Sequence, residues 1–346
     1  MDERVRQLLL HDLDGAAVED PDEVIYEAYD DPRYFERVPA LRDVLADDTV
    51  DAQSRFLACF ALTAWAQHEG YDAVIDAAAA GSGAVWFGAW LDRRYSVDTT
   101  FAQLAEAVSA SRDLVSDQAT GQQRLTSLRA LLKIADAYFF DWQLAAALGP
   151  DVVAELSPEI FETVHRAIAN LNSGTRFDFP LSFQTAEFIV AAARAEETRA
   201  VSYAQDLLAI DSSAQVLHRL IGLVEQGREP ASKLLADSIL TVGGEEVRAE
   251  ITEALDARSA AERRTAQVTY YAKIDELHPR SDPRGLVRRR ILDGVTHDEA
   301  FTRQLDWEPT EYLKRYAIGH NEIDHVEITE QEADEFVQRM TRKLGH

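Results

Sequence analysis

The segment IGHNEIDHVEI, residues 318–328, and the residues just beyond it gather His320, Glu322, Asp324, His325, Glu327 and Glu330 into one short stretch. The chemistry such a set could do is metal ligation, which needs imidazoles converging from one face, as at positions i and i+4 of a helix. His320 and His325 are five apart, which turns them about 140° from each other on a helix and onto opposite faces of a strand. The segment therefore reads as a polar connector anchored by Ile318, Ile323, Val326 and Ile328, with no metal expected.

Other residues of catalytic type are scattered. His165 in TVHRAIANL and His218 in VLHRLIGLV lie among apolar neighbours and read as core or interface histidines. The sequence holds no P-loop, no G-x-S-x-G, no H-E-x-x-H and no G-x-G-x-x-G, so no catalytic residue is assigned and no cofactor is expected. The dipeptide His68-Glu69 resembles one unit of the helical-repeat iron hydroxylases that act on a modified lysine. Those enzymes hold two irons with several such pairs, and this chain has one.

One local charge inversion stands out. Arg258, Arg263, Arg264, Lys273, Arg280, Arg284, Arg288, Arg289 and Arg290 face only Glu262, Asp275, Glu276 and Asp282, a net of +5 in a chain of −26. Tyr270 and Tyr271 interleave them. Arginine forks on phosphate and tyrosine rings on bases would make an anion or nucleic-acid contact. The alternative is internal pairing with acidic neighbours such as TEQEADEF, residues 329–336. Asp282-Pro283 reads as the cap of a helix that would carry Arg284 and Arg288 on one side.

The elements that must position these residues read as helices nearly throughout. AQSRFLACFALTAWA, residues 52–66, repeats apolar residues at helical spacing around most of its circumference. Polar caps followed by proline recur at Asp20-Pro21, Asp31-Pro32, Ser157-Pro158 and Asp282-Pro283, and capping boxes at Thr296/Glu299 and Thr329/Glu332. Stops are expected at Gly70, Gly149, Gly174, Gly227, Gly243-Gly244 and Gly294. These signals predict an all-α chain of roughly sixteen to eighteen helices joined by short connections. A turn-rich break, HPRSDPRG, divides it into a body over 1–278 and a C-terminal helical cap over 279–346.

Residues 41–62 laid on residues 219–240 pair Leu45 with Leu223, Arg55 with Lys233, Leu57 with Leu235, Ala58 with Ala236 and Leu62 with Leu240. The pattern resembles HEAT-like repeats, which implies an α-solenoid of stacked antiparallel helix pairs. An irregular multi-helix bundle is the alternative.

Composition bounds the function. With 35 Lys plus Arg against 61 Asp plus Glu, most of the surface repels a phosphate backbone, and nucleic acid is disfavoured outside residues 258–290. The same acidity suits a protein partner with a basic face, or solvation in a salt-rich cytoplasm. The start, MDERVRQLLL, is unlike a secretory signal, no membrane-spanning run is present, and the lone Cys59 sits in an apolar stretch, so a cytoplasmic protein with a buried thiol is expected. The leading expectation is a non-catalytic helical-repeat protein of inhibitor, immunity or scaffold type that binds a basic protein. The alternative is an enzyme similar to the helical-repeat DNA glycosylases that excise alkylated bases, with Trp86, Trp90, Trp142 and Asp141 as its site.

Overall fold

The computed structural model describes residues 1–92, 94–265, 267–292, 295–317 and 323–344, with side chains other than those of 260–265, 267, 292 and 344. The chain divides into two units, Met1–Ala254 and Leu255–His346. The division falls inside a long helix, while the break expected near residue 278 lies in the turn that joins the first two strands.

The first unit is helical. Its helices are α1 (Glu3–Leu9), α2 (Pro21–Glu27), α3 (Val38–Ala46), α4 (Ala52–Ala64), α5 (His68–Ala80), α6 (Thr100–Ala110), α7 (Gly121–Leu132), α8 (Gln143–Ala147), α9 (Pro150–Asn172), α10 (Leu181–Ala192), α11 (Glu197–Ile210), α12 (Ala214–Gln226), α13 (Pro230–Val242) and the start of α14 (Glu245–Thr265). No helix among the described residues is long and apolar enough to cross a membrane.

Several boundaries follow the expected caps. At α2 the Asp20 carboxylate accepts from the Asp22 amide at 3.0 Å, and Glu23 reaches back to accept from the Asp20 amide at 3.3 Å. Gly174, at φ +74°, follows α9. Other signals were misread. Ser157-Pro158 lies inside α9, which starts at Gly149-Pro150 instead; a proline inside a helix removes one hydrogen bond, and burial of Leu156, Ile160 and Phe161 outweighs it. Gly70 is not a stop but a point of close approach in α5, where an added Cβ would meet the Thr63 nitrogen at 2.4 Å.

The core of this unit combines apolar packing with buried polar clamps. Trp65, Phe56, Phe101, Phe140, Phe161 and Phe188 are buried, and so is Cys59. Helix α4 packs on α3, α5 and α6, and α10 on α9, α11 and α12. The buried Gln184 donates to the carbonyls of Ala135 (2.6 Å) and Tyr138 (3.0 Å) and accepts from the Phe140 amide (2.7 Å), fixing the connection after α7. The buried Arg124 donates to the carbonyls of Val108 (3.0 Å) and Ala147 (3.3 Å), in the last turns of α6 and α8, where a cation suits the helix dipole.

The described chain is mostly helical, and the second unit is where it departs from the all-α expectation. It holds an antiparallel sheet of β1 (Gln267–Ile274), β2 (Gly285–Leu292), β3 (Val295–Phe301), β4 (Trp307–Pro309) and β5 (Asp324–Ile328), in the order β4-β3-β2-β1-β5. The helices α15 (Tyr312–Ala317) and α16 (Glu330–Leu344) complete it. The segment 279–346 is therefore no helical cap, since it carries four of the five strands. Asp282-Pro283 precedes β2, and Thr296/Glu299 lie within β3, so neither caps a helix. Thr329/Glu332 does cap α16: the Glu332 amide donates to Thr329 Oγ1 (3.2 Å) and the Thr329 amide to Glu332 Oε2 (2.7 Å). On one face of the sheet Ala272, Leu286 and Ile328 pack against Ala333 and Phe336 of α16. On the other, Val287 packs against Tyr312 and Leu313 of α15.

Candidate functional site

The strand period disperses the arginine cluster. Tyr270, Arg288 and Arg290 share the α16 side of the sheet, whereas Tyr271, Lys273 and Arg289 share the α15 side. The single helix face expected for Arg284 and Arg288 does not exist, because those residues stand in and beside β2.

Arg280, Arg284, Arg288, Arg289 and Arg290 each meet an acid. Arg288 donates to Glu299 at 2.6 Å and stacks its guanidinium 4.3 Å from the Trp307 ring centre. Arg289 forks onto Asp298 at 2.8 and 2.9 Å, and Arg290 lies 3.6 Å from Glu299. Register explains these pairs, since Arg288 stands opposite Glu299 and Arg289 opposite Asp298. In the β1–β2 turn Arg284 reaches Asp275 at 3.3 Å, and Arg280 forks onto Glu332 at 2.9 and 2.8 Å. Lys273 lies 4.2 Å over the Tyr312 ring, and burial, aided by Arg284, lowers its pKa. Arg263 and Arg264 lie in α14 with side chains outside the described residues, and Arg258 is buried.

On the α15 side, Tyr271 and Arg289 do line one pocket of about 490 Å³, together with Lys314, Tyr316 and His325, which sequence reasoning did not assign to it. Three tyrosine rings surround His325: Tyr316 at 4.4 Å, Tyr271 at 5.2 Å and Tyr312 at 5.7 Å. Its Nδ1 is buried with no hydrogen-bond partner among the described residues, and burial lowers its pKa. His320 lies outside the described residues. Among the described residues no group of three His, Cys, Asp or Glu could hold a metal ion.

Neither His165 nor His218 is a core residue, and His218 bridges α12 and α14. His165 is exposed, and His218, half-buried, bonds to Glu250. Glu69 is held by Arg42 at 2.9 Å. Of the tryptophans, Trp86 is buried and both Trp86 and Trp90 pack on Phe56, while Trp142 is half exposed. Beside Trp142, a small pocket of about 140 Å³ holds Arg194 and the pair Glu187–Arg219. Glu187 is buried, which raises its pKa against the pull of Arg219; Asp141, at φ +48°, is raised by burial and by Asp92.

A larger groove lies along α5. Glu69, Asp72 and Asp76, at i, i+3 and i+7, form one row; Ala73, Ala77 and Ala80, at i, i+4 and i+7, form the next. With Leu45, Arg55, Ala84 and Trp86 they line a groove of about 430 Å³. Alanine leaves the space that a larger side chain would fill. Arg55 is already paired with Asp48 at 2.8 Å, whereas Asp72 and Asp76 are exposed and have no cation partner among the described residues. The alternation of acid and alanine along DAVIDAAAA was the signal that could have singled this groove out. The chain matches no known protein family, no characterised protein and no solved structure at a level that indicates relationship.

Proposed function

We propose that the helical unit is a non-catalytic binding module that holds a protein partner by a basic segment laid along α5. The observation that carries this reading is the groove itself, an apolar floor of alanines, Leu45 and Trp86 beside the exposed carboxylates of Asp72 and Asp76, which have no cation partner among the described residues. Its setting agrees: residues 1–254 carry 43 acids against 20 basic residues, so the unit holds −23 of the chain's −26. A field of that sign accelerates the encounter with a cationic surface and repels nucleic acid. An inhibitor, immunity or scaffold role is the form of binding that such a surface suits. A HEAT-like stacking of the helices fits the same reading, since α5 packs on α7, α7 on α9, α10 on α12 and α11 on α13 as well as on sequence neighbours. The nucleic-acid enzyme is the weaker reading, because Trp86 and Trp90 are taken up in packing against Phe56.

The test uses a fluorescent helical peptide with leucines along one face and arginines flanking them. It is titrated against the protein and against Asp72→Arg/Asp76→Arg at low and high salt. Each exposed pair contributes about 0.2–1 kcal/mol, so reversing both charges should weaken binding about tenfold or more and flatten its salt dependence. Equal affinity for the protein and the variant would overturn the proposal.

A further inference from the structure

The sheet of the second unit has two edges, and they differ. Edge strand β4 is three residues long and ends in Pro309, which has no N–H to offer a neighbour. Edge strand β5, DHVEI, has five residues and neither proline nor lysine. Beyond its ladder with β1, the hydrogen bond that reaches its backbone from the described residues is that of the Tyr312 hydroxyl to the Asp324 carbonyl (3.3 Å), beside a shorter one to the preceding Ile323 carbonyl (2.6 Å). An edge of this kind, with no further strand partner among the described residues, is a template for another strand.

The sequence of β5 selects which strand. We propose that two copies of this chain join edge to edge through β5, antiparallel about a two-fold axis at Val326, to make one continuous sheet. A two-fold axis perpendicular to the sheet lies midway between the two copies of the strand and must fall level with a residue rather than between two, because directly opposed residues share a face. Centred on Val326, the register overlaps all five residues and sets His325 of each copy opposite Glu327 of the other, so the donor and acceptor pair occurs twice. Val326 then meets Val326. Asp324 falls opposite Ile328, with its carboxylate already engaged by the Tyr316 hydroxyl at 2.8 Å. Centring on His325 would oppose two histidines and centring on Glu327 two carboxylates, each with a shorter overlap. Opposed unlike pairs stabilise a ladder and like charges destabilise it, which favours the Val326 register. The second unit, with 18 acids against 15 basic residues, adds little repulsion of its own. In this arrangement Glu327 of one copy reaches the rim of the His325 pocket of the other.

Sedimentation of the full chain across a concentration series tests the proposal. A concentration-dependent dimer is expected, weakened about tenfold by Glu327→Lys and likewise by His325→Glu. Mixing the two variants should restore dimers, because the lysine introduced in one copy then opposes the glutamate introduced in the other. Register is read separately from Val326→Cys, which should cross-link to itself under a mild oxidant while Glu327→Cys should not. This arm does not depend on the packing of His325. A chain that remains monomeric throughout overturns the proposal, and so does a self-cross-link through Glu327→Cys in preference to Val326→Cys.

Discussion

Replacing Phe336 by alanine tests the packing that holds the second unit together. Phe336 is 5 % exposed and seats α16 on Ala272, Leu286 and Ile328, with Val337 and Met340 at its flanks. Truncating a buried phenylalanine removes its transfer free energy and leaves a cavity, at a cost of about 3–5 kcal/mol. The lower figure applies here, because Met340 is unbranched and partly exposed and can move into the space. A loss of about 3 kcal/mol is a large part of the 5–15 kcal/mol that stabilises a typical domain. With a urea dependence of about 1 kcal/mol per molar, the midpoint should fall by about 3 M. The five tryptophans make the assay local, since Trp307 alone belongs to the second unit while Trp65, Trp86, Trp90 and Trp142 belong to the first. Fluorotryptophan NMR through a urea series reads each unit from its own resonances. Gln338→Ala, on the exposed side of α16, is the control and should stay within about 0.5 kcal/mol. A Trp307 midpoint that moves no further in Phe336→Ala than in Gln338→Ala would refute the packing of α16 on the sheet.

Three further outcomes follow from buried groups. Arg124→Ala should cost about 3 kcal/mol in equilibrium unfolding, because it leaves the carbonyls of Val108 and Ala147 without their donor in a closed interior; a loss under 1 kcal/mol would contradict that role. Gly70→Ala should destabilise the helical unit by about 2 kcal/mol or more, since its Cβ would collide with the backbone of Leu62 and Thr63, and a neutral effect in thermal unfolding would show that α4 and α5 are further apart. His325 should titrate below the usual histidine range by NMR because burial disfavours its charged form. The unfolded chain then binds the proton more readily than the folded one, so stability is full above pH of about 6.5 and declines as the pH falls below it. His325→Gln should remove that component, and an unchanged pH profile would count against it.

What could be read in the sequence was local. The cap Asp20-Pro21, the Thr329/Glu332 box and the buried face of α4 are each set by residues within a turn or two of one another, and each formed as expected. Helix ends that rely on tertiary packing were silent. Ala66 and Ala119 hold left-handed conformations, φ +56° and +53°, without the glycine that marks such positions. Gly70 in turn marks a close approach of two helices rather than an end. The sheet was hidden for a related reason. In GLVRRRIL three successive arginines occupy both faces of β2, so the alternation of polar and apolar residues that announces a strand is missing, and only the opposed Glu299 and Asp298 of β3 make the run compatible with a ladder.

The arginine cluster illustrates why charge counted along a chain is a poor guide to charge on a surface. Between residues 258 and 290 the balance is +5, but the acids that answer it stand elsewhere in sequence: Asp298 and Glu299 are brought opposite by the β2–β3 register, and Glu332 lies 52 residues from Arg280. Folding moves these partners to within hydrogen-bonding distance, and what looked like an exposed cationic patch becomes largely the internal wiring of a sheet. The acidic excess behaves differently. In α5 the carboxylates of Asp72 and Asp76 recur at helical period with no described cation opposite them, and the neighbouring alanines keep the space beside them open. Charge that survives folding without a described partner remains open to a ligand, and by that criterion the acidic helix, which carried almost no signal in sequence, is the stronger candidate than the basic segment, which carried the clearer one.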